Sequence, residues 1–477
     1  MAFARILRSS VVMGGASVVT LATNLVRAKV VAVLIGAQGV GLMGILTAFN
    51  GNVSSLAGWA LGTTGVRALS AASPEQRPAK LAAVRGFGHI LSWIGLGLVL
   101  LVFWPVSLLA FQEPGHELDL LCAGLAVPLL VATGMWSAVL QAGGHLRQLA
   151  LSQIAAAIGG LILGIPLICA FGMSGIAPGI VIAAAVPAIV TWRYASKLHP
   201  APLGHPVDRA DIRAFIAMGG ALTLAGLVGQ LAAFGTRIII VKTLGLDAAG
   251  YYQAAFSTAG SLPGFVFAAM CADFFPGVAA ASTDEDGLRL VENQIQAGLL
   301  LTLPVLTLLL VLGGWCMRLL FSNSFETAVP VLAWMVCGVF IRVISFPMGY
   351  FLLARGSSRL VLMAEALGGG TTVLLSLWLT SSRGLAGAGQ AFLASSIIYT
   401  LCLAIILRVK AGRWVGGFTL LMCLAAALAL ATAKGLALLR PESWWPILPV
   451  VGISAACVFI YLRTMRREKP TNAEQAD

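Results

Sequence analysis

The chain has 477 residues, is 59% hydrophobic and only 10% charged, and carries a net charge of +12 with a mean hydropathy of +0.95. Soluble domains hold about 25% charged residues, so a globular core is excluded as the place where this much apolar surface hides; the solvent is lipid. The basic excess is no nucleic-acid signature, because no basic patch interleaved with aromatics occurs, and the short alternating segments of a β-barrel are absent.

Apolar stretches of about 20 residues, enough to cross ~30 Å of hydrocarbon, recur from end to end. They predict an all-α polytopic membrane protein with fourteen transmembrane helices, at 9–36, 39–71, 86–111, 118–142, 147–171, 174–195, 211–244, 247–281, 290–321, 327–354, 358–380, 385–408, 415–437 and 444–463. The first follows MAFARILRSS without a cleavage site after a short apolar core, so it is expected to stay as an anchor. Several exceed 30 residues and should tilt or protrude, and Pro263, Pro276 and Pro347 mark expected bends. The Pro-rich stretch 196–210 divides the chain, giving six-helix lobes over 1–200 and 201–411, two extra helices in 412–464 and a polar tail over 465–477. With the N-terminus in the cytoplasm, loop Lys and Arg crowd the cytoplasmic side, leaving only Arg318, Arg383, Lys434 and Arg440 opposite. The positive-inside rule then places both termini in the cytoplasm.

The halves repeat each other. IGAQGVGLMG (35–44) matches LGLDAAGYYQ (244–253) at an offset of 209. LQAGGHLRQLALSQ (140–153) matches LLARGSSRLVLMAE (352–365), and FGMSGIAPG (171–179) matches RGLAGAGQA (383–391), both at an offset of 212. Six spans per repeat is an even number, so the two lobes enter the membrane with the same orientation, a layout that suits alternating access.

Six cations fall within spans: Arg27, Lys29, Arg67, Arg237, Lys242 and Arg342. Lys242, Arg67 and Lys29 sit where snorkelling to the boundary competes evenly with function. Arg27 and Arg342 lie deeper, where a charge costs roughly 2.5–3.5 kcal/mol on insertion scales and usually faces a bundle interior or wet cavity. Helical spacing adds a polar face: Ser17 with Asn24, Thr20 with Arg27, the series Thr223, Gln230, Arg237, and the stripe Thr47, Asn50, Ser54, Gly58. Asp273 and Glu365 are the in-span acids that stand out, as ion-coupling sites or as salt-bridge partners of nearby Arg. The positive excess suits a multiply charged anion, and Arg in particular suits phosphate through its paired donors. The candidate pyrophosphate and sugar site is therefore Arg27, Arg67, Arg237, Arg342, Lys29, Asn24, Asn50 and Gln230.

Other features carry less. STDEDG (282–287) reads as a solvated acidic loop. The eight cysteines lie in apolar runs without a Cys-x-x-Cys pair, as small buried hydrophobes. His89 and His145 stand alone, without a second ligand at helical spacing. No nucleotide-binding P-loop occurs, and neither cofactor nor metal is expected.

RAKVVAVLIGAQGVGLMG (27–44) and AGWALGTTGVRALS (57–70) resemble the polysaccharide branch of the multidrug/oligosaccharidyl-lipid/polysaccharide (MOP) exporter superfamily, in particular the Wzx-type O-antigen translocases. The resemblance extends over roughly residues 5–411. It implies a bacterial inner-membrane flippase, not an enzyme, that moves an undecaprenyl-pyrophosphate-linked oligosaccharide between leaflets alongside other polysaccharide-assembly proteins. It also implies a basic cavity, with Arg27, Arg67 and Arg237 at matching positions. Wzx-type members usually have twelve spans; fourteen is the count in the related lipid II flippases, which keeps a peptidoglycan precursor open as the cargo. A drug/cation antiporter would call for deep carboxylates, and a membrane-embedded polymerase or ligase for a large periplasmic catalytic loop.

Overall fold

A computed structural model describes residues 2–111, 115–199, 209–281, 283–414, 416–439 and 452. Among these, every regular element is helical: α1 (Ala2–Leu34), α2 (Ala37–Gly58), α3 (Leu61–Ala71), α4 (Arg77–Ala110), α5 (Glu117–Gly124), α6 (Ala126–Ala142), α7 (Leu146–Phe171), α8 (Ile176–Leu198), α9 (Arg209–Leu244), α10 (Leu246–Ala280), α11 (Asp284–Val311), α12 (Gly313–Leu320), α13 (Val329–Ala354), α14 (Ser358–Arg383), α15 (Leu385–Ala411) and α16 (Gly417–Leu439). Every predicted span up to 415–437 has its helix or helix pair; 444–463 and the tail lie outside the described residues. Eleven stretches among the described residues are long and apolar enough to cross a membrane, and one of them, Leu146–Leu198, is itself two helices joined by a 3-10 turn at Gly172–Gly175. The chain is thus a multi-pass membrane protein.

Three spans are broken. α2 gives way to α3 at Trp59 and Ala60, both left-handed with φ of 47° and 50°. Such angles cost a residue with a Cβ about 1–3 kcal/mol, so surrounding contacts must hold them. Here the Trp59 indole donates from Nε1 to the Ile216 carbonyl at 2.9 Å, and its ring and carbonyl fill the space left by Gly219 and Gly220 of α9. α5 meets α6 at Leu125, and α11 meets α12 at Leu312. At the expected bends the helices run on: α10 is continuous through 263 and 276, and α13 through Pro347.

The internal repeat is written in the backbone. Gly36 and Gly245, 209 apart, both have φ of 87°; Gly144 and Gly356, 212 apart, have 74° and 73°; Gly172 and Gly384, also 212 apart, have 58° and 62°. These are the left-handed corners between successive helices, where glycine is favoured because it has no Cβ. Three corners of one repeat therefore turn as the matching corners of the other do, although the spans between them break at different places.

Packing divides the chain into two compact units: Met1–Ala254 with Arg318–Thr327 and Thr372–Leu385, and Ala255–Met317 with Ala328–Thr371 and Ala386–Asp477. In the first unit α7 runs along α8 and α1, while α6 packs on α8, α4 and α3. Gly164 of α7 and Gly179 of α8 approach backbone to backbone, and a Cβ on Gly160 would lie 3.2 Å from the Ala183 methyl, the close packing that small residues allow in membranes. In the second unit α11 packs on α13 and α16, and Gln296 Nε2 donates to Thr419 Oγ1 at 2.7 Å. The STDEDG acids begin α11 there. Thr283 Oγ1 accepts from the Asp286 amide at 3.1 Å as an N-cap, Asp284 pairs with Arg355 at 3.1 Å, and Glu292 pairs with Arg413 at 3.3 Å.

The tightest helix contact in the first unit joins α2 to the start of α10. A Cβ on Gly41 would lie 2.5 Å from the Leu246 carbonyl oxygen and 2.9 Å from the Gly250 nitrogen, and one on Gly250 would run into the Ala37 carbonyl. Gln38 Nε2 donates to Asp247 Oδ2 at 3.0 Å. Residues 37, 38 and 41 thus meet 246, 247 and 250, their own counterparts in the repeat, as a local two-fold axis requires. Gly250→Ala is expected to cost about 1–3 kcal/mol, because the obstacle is backbone that cannot rotate away. Gly97→Ala, with nothing within 4 Å of the added methyl, is expected to be neutral or slightly stabilising. Thermal unfolding in detergent measures both.

Candidate functional site

α1 carries Asn24, Arg27 and Lys29 within five residues, and the structure gives each a different surrounding. Asn24 is exposed. Lys29, on another face, donates from Nζ to the Leu319 carbonyl at the end of α12. A cation is welcome there, because the last carbonyls of a helix are unsatisfied and partially negative. Arg27 is half-buried, its Nε is closed off from solvent, and that Nε has no hydrogen-bond partner. No ion pair with a described residue reaches it. A buried polar atom without a partner costs about 1–3 kcal/mol, more when the group is charged, so this guanidinium stands ready for an acceptor.

Arg237, in α9, is 6% exposed and well supplied. Its Nε donates to Gln253 Oε1 at 3.0 Å and its Nη1 to the Ala233 carbonyl at 2.9 Å. Gln253 reaches it across the α2–α10 contact, where Gly44 leaves the room: a Cβ on Gly44 would lie 2.7 Å from Gln253 Cγ. Sequence reading named Arg237 and missed Gln253. The available signal was its position opposite Gly44 in the repeat.

The remaining candidates of the first unit line α2, α3 and α9. Asn50 is 2% exposed and donates from Nδ2 to the Ala123 carbonyl of α5 at 2.8 Å, with its Oδ1 buried and unpartnered. Asn52, not singled out from sequence, likewise donates to Ala48 at 2.7 Å and leaves a buried Oδ1 free. Gln230 is exposed and reaches Ser55 Oγ at 3.3 Å. Arg67 is exposed, with Nη1 3.5 Å from Met218 Sδ.

Arg342 and Glu365 belong to the second unit. Arg342 is exposed and lies 5.2 Å over the Phe392 ring, a cation–π contact. Glu365 Oε1 accepts from the Tyr399 hydroxyl at 2.6 Å, and no Lys or Arg among the described residues comes within ion-pair distance of it. The Asp273 side chain lies outside the described residues.

The chemistry on offer is recognition rather than covalent catalysis: a planar guanidinium with a buried, unpartnered donor, one turn from the amide of Asn24 on the same helix. Among the described residues no three His, Cys, Asp or Glu side chains converge as metal ligands.

Comparison with known proteins gives this arrangement its context. Residues 30–330 match the polysaccharide biosynthesis protein family. The chain is 24% identical over 200 residues to the lipid III flippases of Escherichia coli (strain K12) and Shigella flexneri, a match covering 38% of this chain and 48% of each relative, so it spans about half the length of these curated relatives. In fold it resembles lipid II flippase MurJ in an inward closed conformation, at TM-score 0.72 and 16% identity over 97% of this chain and 99% of that one. An inward-facing MATE-family multidrug transporter matches at TM-score 0.67 and 13% identity, over 83% and 94%. The chain belongs to the polysaccharide biosynthesis protein family, and its helices take the fold of the MOP exporter superfamily.

Proposed function

We propose that the chain is an inner-membrane flippase that carries a polyprenyl-pyrophosphate-linked oligosaccharide from the cytoplasmic to the periplasmic leaflet, with Arg27 as the primary ligand of the pyrophosphate. One observation carries this reading: Arg27 is a guanidinium inside a membrane span whose buried Nε has no partner, whereas Lys29 and Arg237 are held by protein acceptors. A phosphate group supplies paired acceptors and negative charge together. Asn24 and Gln230, both exposed in the first unit, are assigned to the saccharide. The polyprenyl chain stays in lipid while the head group is exposed to one side and then the other by the two repeats. Transport, not bond-making, is the activity.

The relatives named as lipid III flippases support a lipid-linked saccharide as the cargo class, within which the O-antigen repeat unit is one member. A lipid II cargo is the second reading. It is favoured by the likeness to MurJ over 97% of the chain and by α16, which follows the twelve spans of the repeat.

The test is translocation of a fluorescent polyprenyl-pyrophosphate oligosaccharide in proteoliposomes. Arg27→Ala is expected to lower the rate about tenfold or more, as loss of a charge-assisted fork implies, and Arg27→Lys to fall between, keeping the charge without the paired donors. Equal rates for wild type and Arg27→Ala would remove the site, and failure of the wild type to move any lipid-linked saccharide would remove the function.

Stability separates the two arginines. Gln253→Ala removes the amide acceptor of the buried Arg237 and is expected to destabilise by about 1–3 kcal/mol. Arg27→Met removes a charge that has no protein acceptor and is expected to leave stability unchanged or raised. Thermal melts of the detergent-solubilised protein distinguish them; a larger loss for Arg27→Met than for Gln253→Ala contradicts the assignment.

A further inference from the structure

A second cationic feature of the first unit lies far along the helices from Arg27, at the end where α3 finishes at Ala71, α4 begins at Arg77, α6 finishes at Ala142, α7 begins at Leu146 and α8 finishes at Leu198. Helix ends meeting in this way mark the membrane–water boundary. They enclose a cavity of about 330 Å³, at the lower end of the size range of small-molecule sites and room for about ten waters at ~30 Å³ each. Its walls are Leu69, Leu81, Val139 and Leu198, and its polar side chains are Arg77 and His199.

The cations around it are built in. Arg85 is only 8% exposed. Its Nη2 donates to the His199 carbonyl at 3.0 Å, its guanidinium stacks 4.7 Å over Trp136, and its Nε is buried with no partner. His199 Nε2 is also buried and unpartnered. It sits over Gly143, where a Cβ would lie 2.5 Å away, and its ring is 5.2 Å from that of His145. Burial first, then the neighbouring His145, Arg77 and Arg85, hold His199 below its ordinary pKa. Lys80, the next cation on α4, is already paired with Asp211. Arg77 and Arg85 therefore gather with the imidazoles of His145 and His199 without an acid among the described residues paired to them, while Arg85 Nε and His199 Nε2 have no hydrogen-bond partner. An anion in the cavity would face Arg77 and His199 Nε2, the two polar side chains that line it, and apolar walls beneath them at the boundary fit an amphiphile.

We propose that this cavity binds the phosphate-bearing headgroup of an anionic membrane lipid, Arg77 and His199 taking the phosphate and the apolar walls taking the glycerol and first acyl methylenes. The site is separate from the translocation site at Arg27 and stands whether or not that assignment holds.

The test uses the full-length protein in detergent, with native mass spectrometry and thermal shift as readouts. Phosphatidylglycerol, phosphatidylcholine and glycerol 3-phosphate are the probes. Phosphatidylglycerol is expected to be retained and stabilising, and phosphatidylcholine not. The Arg77→Gln/His199→Gln double variant should lose about tenfold in affinity, the scale of a charge-assisted hydrogen-bond pair. Because Arg77 Nη2 also donates to the Ala142 carbonyl at 3.2 Å, Ala142→Leu serves as the second variant. It keeps every cation and the backbone acceptor but fills the cavity, and should lose the lipid too. Glycerol 3-phosphate should compete, more weakly than the lipid. Equal binding of the two lipids, equal binding of lipid and glycerol 3-phosphate, or full retention by both variants would overturn the proposal.

Discussion

A guanidinium in hydrocarbon needs an acceptor, and that single requirement organises the polar interior of this chain. With 10% charged residues in 477, each in-span cation is an exception that the fold must accommodate. Placement at a helix centre costs roughly 2.5–3.5 kcal/mol, and the structure meets the cost by different means. Lys29 closes the end of α12, Arg237 is bonded to an amide and a carbonyl, and Arg342 rests on an aromatic face. Arg27 has none of these, and a charge left without a protein acceptor is what a polyanionic guest would exploit.

The scaffold that holds these cations is made by absence of side chains as much as by their presence. Left-handed corners at Gly36, Gly144 and Gly172 recur at Gly245, Gly356 and Gly384, so the chain turns the same way in both repeats. Where α2 meets α10, Gly41 and Gly250 bring backbones into contact that any Cβ would prevent. In a bilayer, where apolar burial gives little drive for helix association, such close packing supplies much of it. The two roles of glycine differ: the corners need its φ, and the helix contact needs its size.

Sequence made the spans legible because hydrocarbon thickness is a hard constraint on length, and the helices α1 to α16 follow the predicted stretches. It made the repeat legible because the left-handed corners require the same residue in both halves. The break at Trp59–Ala60 was hidden because it rests on tertiary contact, Trp59 being held by Ile216 and Gly219 from another helix; Pro128 just after Leu125 and Gly313–Gly314 just after Leu312 are local signals that a reading of whole spans passes over. α10 and α13 stay helical through the prolines expected to bend them. For the candidate site, residue types were legible but partners were not. Spacing put Arg27 and Arg237 on comparable footing, and only tertiary contact shows that one is satisfied. His145 looked isolated for the same reason: His199, which lies beside it, is 54 residues away in the chain.

The difference between Arg27 and Arg237 follows from the repeat itself. At the offset of 209, Arg237 falls one position from the counterpart of Arg27, and its acceptor Gln253 falls on Gly44. Near a local two-fold axis the two equivalent positions face each other, and there is space for one side chain. Gln253 occupies it, packed where a Cβ on Gly44 would stand. The second repeat thereby gains an amide that holds Arg237 at 3.0 Å, and the first repeat, obliged to keep glycine at 44, has no corresponding amide for Arg27. Duplication alone would give two equivalent arginines. Crowding at the axis makes them unequal: one is held by an amide, and the buried Nε of the other has no partner.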